Sequence, residues 1–133
     1  MTKEQLRELA EKFDMKGHHF YKDKRGFIIV TRQGIEHIQN KLEIDTELEP
    51  VFEWSDLEKG DFVIKCKATR PMMYEGKVRV TTFGEVSKSN NRNSYPIAMA
   101  EKRAVSRAVL KLANLYEQGF YSEDEMDNIQ KEE

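Results

Sequence analysis

Residues 96–116 constrain this chain more than any other stretch. They hold no glycine or proline after Pro96 and are dominated by alanine, leucine, lysine and arginine, all strong helix formers. Pro96 suits a first helical position, where its missing N–H costs nothing. At about 100° per residue, Ala98, Val105, Ala108, Val109, Leu112 and Tyr116 share one face. Arg103, Arg107 and Lys111 recur every fourth residue and form a cationic stripe on another. The spacing predicts a long helix with one face to bury and one able to meet phosphate, which a planar guanidinium suits better than a lysine does. Ala100 and Ala104 leave the backbone approachable beside the stripe, open to an extended ligand or a neighbouring subunit. An ordinary solvated helix face can look the same, so the surrounding sequence has to decide.

The net charge of −2 conceals an asymmetry. Residues 61–111 carry eleven basic side chains against four acidic ones, a net of +7, whereas residues 123–133 carry six acids against Lys131, a net of −5. A basic central block with an acidic end suits binding to a polyanion, the acidic end competing for the same site. The 133 residues allow one domain with a real core. There is no apolar run long enough to span a bilayer, no apolar signal region at the N-terminus, and a single cysteine, Cys66. The expectation is a soluble cytoplasmic protein without membrane contact.

Taken in order, residues 2–13 read as a short amphipathic helix capped by Thr2, with Leu6, Leu9, Ala10 and Phe13 as its apolar stripe. Residues 15–25 are polar and irregular, with His18 and His19 adjacent but without further ligands at metal spacing. Residues 27–30, Phe-Ile-Ile-Val, form a short buried strand, and Thr31 caps a helix from Arg32 to about Leu42 whose inner face is Ile35, Ile38, Gln39 and Leu42. His37 lies off that face. Residues 48–54 read as a second strand with Pro50 at an edge and Trp54 partly buried. In residues 62–70, Phe62, Ile64, Cys66 and Ala68 alternate with Lys65, Lys67 and Thr69. Residues 77–85 return with Val78, Val80 and Thr82 on one face and Lys77, Arg79, Thr81 and Phe83 on the other. The pair reads as an antiparallel hairpin with Met72 and Met73 near its tip. Clustered cations on adjacent strands repel unless solvent or an anion compensates, so the Lys65, Lys67, Lys77 and Arg79 face reads as a polyanion surface. Residues 87–94 are a polar loop with Lys88 and Arg92, and Ser122 with Glu125 makes a capping box for a last helix over residues 123–129.

Catalytic signatures are missing. The sequence has no P-loop and no dinucleotide fingerprint. Cys66 sits on the apolar face of a strand, and Asp56, Glu58 and Asp61, the only carboxylates resembling a magnesium cluster, flank a turn. The expectation is a protein that is not an enzyme and uses no cofactor or metal.

The predicted order is strand, helix, three strands and a long basic helix. Residues 26–31 read Gly-Phe-Ile-Ile-Val-Thr, residues 34–38 Gly-Ile-Glu-His-Ile, residues 82–85 Thr-Phe-Gly-Glu, and residues 100–112 end on Arg107-Ala108-Val109-Leu110-Lys111. Over residues 26–116 this resembles the annealing domain of the Rad52-like single-strand annealing proteins, including phage recombination proteins. The resemblance implies an α+β fold with an antiparallel sheet packed on the long helix. It implies binding of single-stranded DNA in a basic groove between hairpin and helix, and annealing of complementary strands without ATP. It also implies assembly into a ring or filament in the cytoplasm of a bacterium or phage-infected cell. Arg107 matches a DNA-contacting position of the family; Lys102, Arg103 and Lys111 match in character. The expected binding set is therefore Lys65, Lys67, Lys77, Arg79, Lys102, Arg103, Arg107 and Lys111. Partners would be single-stranded DNA, further copies of the chain, and a single-strand-binding protein or recombinase. Residues 1–121 would form the binding domain and residues 122–133 an acidic helix or tail. Competing readings are an RNA-binding or protein-interaction adaptor of the same shape, an inhibitor mimicking nucleic acid through its acidic end, and a magnesium-dependent nuclease.

Overall fold

The computed structural model describes residues 3–72, 74, 76–90 and 95–125. Its elements are α1 (Lys3–Lys12), β1 (Phe20–Lys22), β2 (Ile28–Val30), α2 (Arg32–Lys41), β3 (Asp45–Pro50), β4 (Phe62–Pro71), β5 (Lys77–Val86), α3 (Pro96–Leu112) and β6 (Phe120–Ser122). The class is α+β with two three-stranded sheets. In the larger sheet, β4 lies between β3 and β5 and both pairings are antiparallel. In the smaller, β2 pairs antiparallel with β1 and parallel with β6. No helix of the described residues is long and apolar enough to cross a membrane.

Strict alternation builds the larger sheet. Phe62, Ile64, Cys66 and Ala68 are buried on one face of β4, and Val86 and Thr82 lie on the same face of β5. That face packs on α3. The approach is close because Gly84 has no side chain. A Cβ there would stand 1.9 Å from the Ala100 carbonyl oxygen and 2.6 Å from the Ala104 nitrogen. Ala100, Ala104 and Ala108, all fully buried, form the facing column. The room these alanines leave is thus taken by the protein's own strand, not by a ligand or a second subunit. Thr82 fixes the pair by donating its hydroxyl to the Ala104 carbonyl at 2.7 Å.

The apolar face expected for α3 needs correction. Ala98 and Tyr116 are exposed, and the buried set is Ala100, Arg103, Ala104, Ser106, Ala108, Val109, Leu110 and Leu112. From Arg103 onward the helix is covered on nearly every side, by the larger sheet, α2, β6 and the turn that follows β6. A helix enclosed this way belongs to the core rather than to an amphipathic surface. The helix ends at Leu112, where Arg70 donates to the Leu112 carbonyl at 2.8 Å and satisfies one of its terminal acceptors.

Thr31 caps α2 as the sequence predicts, accepting from the Gly34 N–H at 3.1 Å. Two strands go beyond the sequence reading. β1 falls in the stretch read as irregular, and β6 follows Gly119. The strand expected over residues 48–54 begins earlier, at Asp45, and stops at Pro50; residues 52–54 form a 3-10 turn. The domain boundary expected after residue 121 falls inside β6, and residues 123–125 form a further 3-10 turn packed on α3. Thr2, Met73, Arg92 and the helix expected beyond Glu125 lie outside the described residues.

The histidines form a small cluster where the turn at residues 17–19 meets α2. The His19 ring stacks on His37 at 4.4 Å and lies 4.1 Å from His18. Nδ1 of His19 accepts from the Lys16 N–H at 2.9 Å, and Nε2 of His37 stands 2.8 Å from the Phe13 carbonyl, to which it must donate. Burial, and next the neighbouring His18 and His37, hold the His19 imidazole below its ordinary pKa. These rings join α1, the loop and α2. Among the described residues no group of three or more His, Cys, Asp or Glu is arranged to hold a metal ion.

Candidate nucleic-acid interface

The predicted cations separate into two sets. Lys65 and Lys67 on β4 and Lys77 and Arg79 on β5 alternate with residues that face α3, so their side chains lie on the opposite, open face of the sheet. Pairing sets their rows: Lys65 opposite Phe83, Lys67 opposite Thr81, Arg79 opposite Thr69 and Lys77 opposite Pro71. Successive positions on that face are two residues apart, about 6.7 Å along the strand. Arg103 and Arg107 belong to α3, behind the sheet. The open face and the helix stripe therefore do not line one groove.

Arg103 is fully buried. Its Nη1 donates to the Glu85 carbonyl at 2.9 Å and to Asn90 Oδ1 at 3.0 Å, its Nη2 to the Asn90 carbonyl at 2.7 Å, and its Nε to the Asp124 carbonyl at 3.1 Å. Arg107 donates to the Phe83 carbonyl at 2.6 Å, chelates the Glu85 carboxylate at 2.7 and 2.9 Å, and pairs with Glu125. Phe83 and Glu85 are two residues apart on β5, the sheet's outer strand, so their carbonyls point off its free edge. Arginines four apart on a helix rise about 6.0 Å, close to the two-residue step of a strand. The pair thus closes the edge of β5 that would otherwise offer unpaired acceptors. Burial alone would lower the Arg107 pKa; the hydrogen bonds it donates to Glu85 and then to Glu125 outweigh it and hold the guanidinium above its ordinary value. The expected solvent-facing stripe is therefore corrected: two of its three members are structural. Lys111 is exposed, and half-buried Lys102 lies 5.8 Å over the Tyr95 ring.

Much of the expected acidic tail serves the same structure. Glu123 accepts from the Arg32 N–H at the start of α2, Asp124 accepts from the Ser106 hydroxyl at 2.8 Å, and Glu125 holds Arg107. Asp56 and Asp61 form an isolated backbone bridge that shapes their turn.

On the open face, β3 contributes a row of carboxylates, Asp45, Glu47 and Glu49, opposite Thr69, Lys67 and Lys65. Glu49 Oε1 lies 3.7 Å from Lys65 Nζ and 3.8 Å from Lys67 Nζ. Ion pairs this exposed are worth at most about 1 kcal/mol each, so an incoming phosphate can displace them. A pocket of about 420 Å³ gathers Lys67, Thr69, Lys77 and Arg79 with Asp45 and Glu47. At the other end of the face, Trp54 sits 5.4 Å from the Phe83 ring. Trp54 is 62% exposed, more open than the partial burial the sequence suggested. No protein-family model and no curated protein sequence matches the chain.

Proposed function

We propose that this protein binds single-stranded nucleic acid across the open face of the β3–β4–β5 sheet and anneals it to a complementary strand without ATP, in the manner of the Rad52-like proteins. The observation that carries the reading is the arrangement of Lys65, Lys67, Lys77 and Arg79 on one solvent face that runs out onto the exposed Trp54 ring and the half-buried Phe83 ring. Cations tracking a backbone beside aromatic platforms are the usual means of holding a single strand without reading its sequence. A three-stranded antiparallel meander followed by a helix packed on its back supports the likeness in architecture. Phosphates meeting the lysines would release counterions, so affinity would fall with salt. A strand held by its backbone keeps its Watson–Crick edges free to test a complement.

The binding set narrows in this reading to Lys65, Lys67, Lys77 and Arg79. Arg103 and Arg107 act instead by holding β5 to α3, and Lys102 and Lys111 lie outside the face. Assembly into a ring or filament would use the outer edge of β3, which among the described residues has only β4 as a strand neighbour. Fluorescence anisotropy with a labelled single strand, a duplex control and a salt series tests the proposal, followed by an annealing assay. Tight single-strand binding that weakens steeply with salt is expected. Absence of binding at low salt would refute it and turn attention to the exposed Phe52, Trp54 and Leu57 as a protein-docking surface.

A further inference from the structure

We infer that Trp54 and Phe83 form a subsite for one unpaired nucleobase at the end of the cationic face, an inference that rests on the single-strand reading above. The two rings are inclined by 58° with centroids 5.4 Å apart. They make an open notch rather than a closed stack, and the exposed Trp54 face has no ring on its outer side among the described residues. The notch borders a pocket of about 330 Å³ that Lys65, Glu49 and Glu53 also line.

This lining selects the occupant. Two carboxylates disfavour a phosphate inside the pocket, whereas an uncharged heteroaromatic ring can stack on the indole face. Lys65 lies opposite Phe83 in the sheet register, so a phosphate on Lys65 sits one side chain away from a base on the aromatic pair. The geometry also explains an unusual exposure. Phe83 stands between Thr81 and Glu85 on the open face of β5, and Trp54 is carried out to it by the 3-10 turn at Phe52–Trp54. The turn is anchored by Ser55, whose hydroxyl donates to the Val51 carbonyl at 2.7 Å and accepts from the Val63 N–H at 3.0 Å. The platform is thus fixed to β4 before any ligand arrives. Stacking uses the face of the base and leaves its pairing edge open, as annealing requires.

Trp54 is the only tryptophan, so its emission reports this subsite alone. The full-length protein is titrated with oligothymidylate and with an abasic sugar-phosphate strand of the same length, following Trp54 emission and anisotropy together. The inference predicts that both strands bind, that only oligothymidylate quenches Trp54, and that it binds more tightly. Trp54→Ala is expected to lose about five- to hundredfold in affinity for oligothymidylate and little for the abasic strand, with Trp54→Phe retaining most of the preference. Equal affinity for the two strands with unchanged emission would overturn the base subsite and leave the cationic face standing. Emission that changes with protein concentration alone would also overturn it, because the notch would then be a contact between copies. If neither strand binds, the underlying single-strand reading fails.

Discussion

Glu49→Gln isolates the competition on which the open face depends. Among the described residues Glu49 is the carboxylate that pairs with both lysines of β4, at 3.7 Å from Lys65 Nζ and 3.8 Å from Lys67 Nζ. In water, unit charges at that distance interact by about 1 kcal/mol, and exposed pairs measured by mutation give about 0.2–1 kcal/mol each. Binding a strand must break both, so the carboxylate opposes binding by about 0.4–2 kcal/mol. Removing it should tighten single-strand binding by about twofold to thirtyfold. Folding stability should change little, since both pairs are exposed. Anisotropy at about 50 mM salt, with a thermal melt as control, measures the effect. A Glu49→Gln protein that folds normally and binds no more tightly would refute the reasoning, because Lys65 and Lys67 would then not meet phosphate.

Gly84→Ala should destabilise the fold by about 3 kcal/mol or more, because the added Cβ collides with the Ala100 and Ala104 backbone; an unchanged urea midpoint would show that α3 can retreat from the sheet. Arg107→Ala should cost about 3 kcal/mol, the low end for a broken buried ion pair, since it strands largely buried Glu125 while half-exposed Glu85 can turn to water; a thermal melt checks this. The fold also favours neutral His19, whose pKa is depressed. Its contribution is therefore complete above the ordinary value of about 6.5 and is lost as pH falls through the lower folded value. Protonating Nδ1 would also remove the acceptor used by Lys16. Unfolding midpoints at about pH 7.5 and about pH 5.5 should differ in the native protein and converge in His19→Gln.

Local periodicity made much of this fold legible. The alternation from Phe62 to Ala68 and from Lys77 to Phe83 was enough to assign both faces of the hairpin, and Thr31 marked the start of α2. What stayed hidden depends on contacts far apart in the chain. β1 and β6 have three residues each, too few to show a period, and β6 is a strand only because β2 lies beside it. The arginines misled for the same reason. Spacing places Arg103 and Arg107 on one helix face but does not say that the free edge of β5 waits there. One signal was present: they stand beside the column Ala100, Ala104 and Ala108, and small residues at that spacing, with Gly84 in the preceding strand, mark where two backbones meet. The exposure of Trp54 was likewise set by the turn at Phe52–Trp54, which the sequence reading took for a strand.

The open sheet face, rather than the helix stripe, is the central claim. Its most direct test compares the salt dependence of single-strand binding in Lys65→Gln/Lys67→Gln and Lys102→Gln/Lys111→Gln. Each phosphate contact on a single strand contributes about 0.7 to the slope of log affinity against log salt. The sheet variant should bind more weakly and lose about 1.4 from that slope, while the helix variant keeps the native slope. A native slope in the sheet variant with a reduced slope in the helix variant would contradict the account and return the strand to α3.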